Sequence, residues 1–176
     1  MIGGLAAVTG AVSAETPPSG LSLAPTRTLD LTLSEATWMQ PDVSPDGKTI
    51  LFNVLGDIYG VGAQGGAAWP VLTGMAFETD PVFSPDGRSI AFVSDRSGVT
   101  NLWIADADGR NPRQVSQETK LTIFSSPVWA PDGKAVYVSR MKHPVLAFEL
   151  WRFGLDGGDQ RRCYRARFQR RHPRSQ

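Results

Sequence analysis

Three stretches of the chain repeat one alternation of apolar and polar positions. They are Pro41-Asp-Val-Ser-Pro-Asp-Gly-Lys-Thr-Ile-Leu-Phe52, Pro81-Val-Phe-Ser-Pro-Asp-Gly-Arg-Ser-Ile-Ala-Phe92 and Pro127-Val-Trp-Ala-Pro-Asp-Gly-Lys-Ala-Val-Tyr-Val138. After the turn in each, apolar residues fall two apart: Ile50 and Phe52, Ile90 and Phe92, Val136 and Val138. A period of two predicts a strand with one buried face. The turn is written just as plainly. Proline presets φ at the first central position, aspartate bonds nearby backbone amides, and glycine supplies positive φ where the chain re-enters a strand. Pro45, Asp46 and Gly47, then Pro85, Asp86 and Gly87, then Pro131, Asp132 and Gly133 are therefore hairpin turns, each followed by a basic residue.

A second recurrence closes each unit. Asp57-Ile-Tyr59, Asn101-Leu-Trp103 and Glu149-Leu-Trp151 begin a third strand, polar then aliphatic then aromatic, and each leads into a glycine-containing turn. In the first two units a fourth strand follows, over Ala68–Thr73 and Pro112–Ser116. Extra residues fall between the second and third strands, at Asp95–Gly98 and Met141–Phe148, where loops tolerate length changes. The turn glycines are 40 and 46 residues apart, and four short strands per unit at that period make a β-propeller blade. The expected fold is all-β: an incomplete propeller with two full four-stranded blades and most of a third. Such rings close with roughly four to eight blades, so three leave open strand edges that favour self-association.

Charge divides the chain where the repeat breaks off. The net charge of +1 combines a body of −5 over residues 1–158 with a tail of +6 over residues 159–176, where seven arginines face one aspartate. Arginines interleaved with Tyr164 and Phe168 would suit nucleic acid, and a basic cluster would suit anionic lipid. Because the break falls inside a repeat, the tail reads instead as out-of-frame or disordered sequence, and no nucleic-acid partner is expected. At the other end, residues 1–14 are uncharged, and Val12-Ser13-Ala14 places small side chains where signal peptidase requires them. The expected organisation is a signal peptide over 1–14, a linker and lead-in strand over 15–37, a partial propeller over 38–158 and the basic tail over 159–176. A periplasmic or secreted location follows from the signal.

Chemistry is sparse. Cys163 is the one cysteine, which excludes an internal disulfide framework and a cysteine zinc cage. His143 and His172 are the two histidines. His143, beside Pro144, reads as a loop residue. No nucleophile elbow, phosphate-binding loop or His-x-His pair occurs. Asp106-Ala-Asp108-Gly109 opens like a calcium loop but lacks the later oxygen ligands, so it reads as a turn. Asp80 with Asp86, and Asp46 with Asp57, read as turn and strand-end residues. Trp103, Trp129 and Trp151 recur at blade positions and read as core between blades, whereas Trp38 and Trp69 fit either core or ligand contact. No run is long and apolar enough to span a bilayer as a helix. No catalytic, cofactor-binding or metal residue is assigned.

The repeat resembles the TolB-like branch of WD-type propellers, from the three Pro-Asp-Gly turns and the downstream Ile-Tyr or Leu-Trp. It is similar more narrowly to the N-terminal propeller of exported bacterial amidohydrolase-family proteins, from Glu35-Ala-Thr-Trp-Met39, Leu55-Gly-Asp-Ile-Tyr59 and Phe92-Val-Ser-Asp-Arg-Ser-Gly98. That resemblance implies a non-catalytic module whose partner is a C-terminal metal-dependent hydrolase domain missing from this chain. The divalent metal is implied for that domain alone. The alternatives are a TolB-like periplasmic interaction or transport propeller, and the propeller of a prolyl-oligopeptidase-type peptidase. TolB proper has a further domain before its propeller, and the residues between Ala14 and Pro41 are too few to hold one.

Overall fold

The computed structural model describes Leu33, residues 35–142, 145–156 and 159–165. The expected signal peptide, most of the linker, His143, His172 and the tail beyond residue 165 lie outside these described residues. Among the described residues, twelve strands form three antiparallel sheets, each in chain order. Blade one holds β1 (Asp42–Val43), β2 (Thr49–Val54), β3 (Asp57–Gly62) and β4 (Trp69–Leu72). Blade two holds β5 (Glu78–Phe83), β6 (Ser89–Ser94), β7 (Asn101–Asp106) and β8 (Arg113–Gln114). Blade three holds β9 (Thr122–Trp129), β10 (Ala135–Lys142), β11 (Val145–Gly154) and β12 (Gln160–Arg165). The first strands sit side by side, β5 against β1 and β2, and β9 against β5 and β6. They form the inner wall of an arc of three blades that does not close into a ring.

Each blade has a leading face toward the blade before it and a trailing face toward the next. On blade two the leading Ile90, Phe92 and Ala105 pack on the trailing Leu51, Ile58 and Leu72 of blade one. The trailing Ala91, Val93, Leu102, Ile104 and Val115 pack on Phe124, Trp129, Val136, Val138 and Phe153 of blade three. Strand β6 is therefore buried on both faces, Ile90 through Ser94 without a break. Of the period-two residues, Ile90, Phe92, Val136 and Val138 are fully buried. Ile50 and Phe52 are half-buried, because among the described residues no blade covers that face.

Two expectations are corrected. The fourth strand of blade three was expected to be missing, yet β12 pairs with β11, matching Leu150 with Tyr164 and Arg152 with Arg161. Ion pairs from Arg152 to Asp159 and from Arg162 to Glu149 join the two strands. Residues 160–165 thus form an edge strand of blade three. Its arginines obscured an alternation that the pairing with β11 makes plain. The Met141–Phe148 insertion likewise extends the hairpin, with Lys142 opposite Val145 and Arg140 opposite Glu149.

Candidate functional site: the turn-lined end and the seams between blades

The three proline-aspartate-glycine turns recur with one geometry. The Gly47 N–H donates to the Ser44 carbonyl at 2.8 Å, and its counterparts Gly87 and Gly133 bond Ser84 and Ala130 at 2.8 and 2.9 Å. The three glycines have φ of 71°, 69° and 68°. In each turn the aspartate Oδ1 accepts from the amide two residues on: Lys48 on Asp46 at 3.1 Å, Arg88 on Asp86 at 3.1 Å, Lys134 on Asp132 at 3.0 Å. Ser44 and Ser84 add a hydroxyl bond to Asp46 and Asp86, each at 2.6 Å. That hydroxyl first, and the backbone amide second, hold both carboxyls below their usual pKa. Such carboxylates stay ionised and bonded within their own turns, so they serve geometry and not proton transfer.

The turns also meet across the seams. Pro85 and Asp86 face Pro131, Asp132 and Gly133 across a cleft of about 490 Å³ between blades two and three, with Asn111 and Arg113 on its wall. Pro45 and Asp46 face Asp86 and Gly87 across a second cleft, about 600 Å³, with Trp69 and Phe83 at its side. The turns of all three blades therefore lie along one rim of the arc, and of the nine turn residues Gly47 alone lines neither cleft.

At the seams lie polar groups that sequence reading missed. Arg96 pairs with the buried Glu78 and lies over the rings of Phe92 and Trp103, 5.3 and 5.1 Å from their centroids. Arg140 and Lys142 pair with Glu118, and Arg140 lies 4.1 Å from the Trp151 centroid. Burial raises the pKa of Glu78 against the opposing pull of Arg96. These pairs had no shared spacing in the chain to reveal them. Asp80, read from sequence as a turn or strand-end residue, instead lies on the inner strand β5 with φ of 54°. It accepts from the Ser126 amide at 3.4 Å across to blade three, and burial raises its pKa too. Asp42 accepts from the Phe83 amide at 2.7 Å, and the Trp129 indole donates to the Val82 carbonyl at 3.1 Å. Each bond stitches one blade to the next.

The tryptophans sort by place. Trp129 is buried between blades, and Trp103 and Trp151 pack against the cores. Trp38 is exposed, and Trp69 covers Gly60. Asp106 and Asp108 form a turn, bonding Asn111 and the Arg110 amide. Cys163 is an exposed free thiol on β12. Among the described residues no three His, Cys, Asp or Glu side chains converge as metal ligands would.

Blades stitched at their inner strands, with repeated turns at one end, define a β-propeller module of the TolB-like kind. The Tricorn protease N-terminal beta propeller domain family matches residues 35–172, and the chain belongs to that family. It is 32% identical over 108 residues to the uncharacterized peptidase YuxL of Bacillus subtilis, covering 60% of this chain and 15% of the relative. It is 46% identical over 59 residues to the Tol-Pal system protein TolB of Methylobacillus flagellatus, covering 32% and 13%. A solved structure assigned as TolB from Agrobacterium tumefaciens superimposes with a TM-score of 0.65 at 23% identity, covering 74% of this chain and 50% of that one. The chain thus spans less than a sixth of the length of both curated relatives.

Proposed function

We propose that this chain is the non-catalytic N-terminal propeller of an exported hydrolase of the amidohydrolase family, working as a platform that holds and shields a catalytic domain. The observation that carries the reading is where the carboxylates go. Asp46, Asp86 and Asp132 are bonded in their turns, Glu78 and Glu118 in ion pairs, and Asp42 and Asp80 in stitches between blades. Each serves the blade frame, and the clefts are lined by these same turns. The small share of its longer relatives that the chain spans supports a module role. The amidohydrolase parent rests on the resemblance carried by the lead-in Glu35–Met39; the protease-family match over the same residues and the identity to a Bacillus subtilis peptidase support a peptidase parent as the alternative.

Translating the genomic DNA beyond codon 165 in all three frames tests the parentage. The expected result is a frame that adds a further blade and later reaches a His-x-His strand. A Gly-x-Ser-x-Gly elbow there would transfer the reading to a serine peptidase. Purified chain with added zinc is expected to turn over neither amide nor ester substrates; turnover that tracks the chain through purification would overturn the non-catalytic role.

The identity to the Methylobacillus protein supports a second reading, a TolB-like periplasmic interaction propeller. That reading expects direct binding to purified components of the Tol–Pal system, measured by calorimetry, and no hydrolase frame downstream.

A further inference from the structure

We propose that the cleft between blades one and two is a binding site for an arginine side chain presented by a partner protein or peptide. The two clefts on the turn rim are built on one plan. Ser44 and Asp46 line the first as Ser84 and Asp86 line the second. From the following blade, Phe83 and Asp86 answer to Trp129 and Asp132. The difference that matters for charge lies on the fourth strand. Trp69, opposite Gly60, lines the first cleft, and Arg113, opposite Ile104, holds that place in the second. The second cleft thus carries a guanidinium of its own among its carboxylates. The first offers Asp46, Asp86 and Asp108 beside two aromatic rings, with no cation among its described lining residues.

The ring gives the first cleft its selectivity. A Cβ at Gly60 would come within 2.6 to 2.8 Å of three atoms of the Trp69 indole, so only glycine lets the ring lie there. It is nonetheless 43% exposed. A planar guanidinium stacks on such a ring while its edge bonds carboxylates. The chain builds that arrangement twice from its own residues: Arg96 lies over Phe92 and Trp103 and pairs with Glu78, and Arg140 lies over Trp151 and pairs with Glu118. The first cleft has the ring and the carboxylates of that arrangement, and the arginine is left for a partner to bring.

The acceptors are set in advance. In Asp46 and Asp86 the Oδ1 atom holds a serine hydroxyl and a backbone amide of its own turn, so binding need not order them. Lys48 and Arg110 approach Asp46 and Asp108 at 3.9 and 3.4 Å, but each cation is 81% exposed, and exposed pairs of this kind are weak enough to yield. The blades that wall the cleft pack directly together, Leu51 and Ile58 against Ile90 and Phe92, so it needs no further blade to form. The site stands apart from the parent enzyme proposed above: it is read by peptide binding and not by hydrolysis or by the downstream frame, so either can fail without the other.

The experiment is calorimetric titration of the purified chain with a short blocked peptide, Ala-Arg-Ala, beside its citrulline counterpart, which keeps the shape and loses the charge. The arginine peptide is expected to bind once per chain and to weaken as salt rises. The citrulline peptide is expected to bind at least about tenfold more weakly. Trp69→Arg copies the second cleft and is expected to abolish binding, whereas Trp69→Phe keeps a ring and most of the affinity. Asp46→Asn keeps the oxygen that the turn uses, removes one charge and is expected to weaken binding several-fold. Should Trp69→Arg fail to fold, Asp46→Asn and the citrulline peptide decide by themselves. A wild-type chain that binds no arginine peptide overturns the proposal. So does citrulline bound as tightly as arginine, or wild-type affinity in Asp46→Asn or in a folded Trp69→Arg.

Discussion

Glycine serves two different needs in this chain, and substitution separates them. Gly133 has φ of 68° with nothing near the site of a Cβ, so alanine there meets backbone strain alone, about 1–2 kcal/mol. Gly109 also has positive φ, and its Cβ would fall 2.0 Å from the Val71 carbonyl oxygen on blade one. Gly109→Ala is therefore expected to destabilise clearly more than Gly133→Ala in urea melts; equal losses would mean the turn of blade two does not rest on β4. The carboxylates carry opposite pH signs. Asp46 and Asp86 sit below their usual pKa, so the stability they contribute is present above that value and lost as pH falls through their native pKa. Glu78 and Asp80 are raised by burial, so their contribution is full below the usual carboxylate pKa and lost as pH rises through the native one. Ser84→Ala removes the hydroxyl that depresses Asp86 and is expected to weaken the acid-side loss. Asp80→Asn is expected to flatten the decline on the other side. Urea midpoints taken at half-unit steps from pH 3 to 7 decide both, and unchanged profiles would contradict these assignments.

For a strand, position in the arc decides how its sequence must read. Strand β6 lies between two blades, so both of its faces are buried and Ile90 through Val93 are all apolar. Phe92→Ala is expected to lose about 3–5 kcal/mol, the usual loss for a fully buried phenylalanine. Ala91→Asp, one residue away on the opposite face, is expected to be at least as damaging, since it buries a carboxylate against blade three. A mild effect at Ala91 would mean that the second seam is open. The turns, the period-two strands and the four-strand unit were all legible because each depends on local chain geometry that proline, aspartate, glycine and alternation write directly. The sides of β2 were less legible. The repeat marks Ile50 and Phe52 as buried, but burial needs a neighbouring blade, and it is Leu51 that has one. The seam pairs Glu78–Arg96 and Glu118–Arg140 were illegible for a related reason: they join residues 18 and 22 apart through loops of unequal length. Strand β12 was missed because arginine hides alternation. Its Arg161 and Tyr164 lie on the open trailing side, opposite Arg152 and Leu150.

Across the whole molecule, the arc is held by seams and stitches that run from blade to blade, and its two ends are the weak points. At the blade-three end, β12 is what covers the edge of β11. Removing residues 159–176 takes away that strand's pairing with β11, the Arg152–Asp159 and Arg162–Glu149 ion pairs, and Tyr164 beside Leu150. It also leaves Arg152, largely buried, without its carboxylate. The freed edge of β11 is long, ten residues from Val145 to Gly154, and carries the exposed Phe148 and Leu150. An edge of that length and composition templates pairing with other chains. The shortened chain is thus expected to melt at a lower temperature and to aggregate during the melt, seen by circular dichroism with light scattering. The comparison chain carries Arg161→Glu and Tyr164→Ala in the intact tail, which keeps the strand and alters its face. It is expected to retain most of the thermal stability, because backbone pairing and both ion pairs remain. If the shortened chain instead melts like the intact one, β12 contributes nothing to blade three, and the tail is the accident its composition suggests.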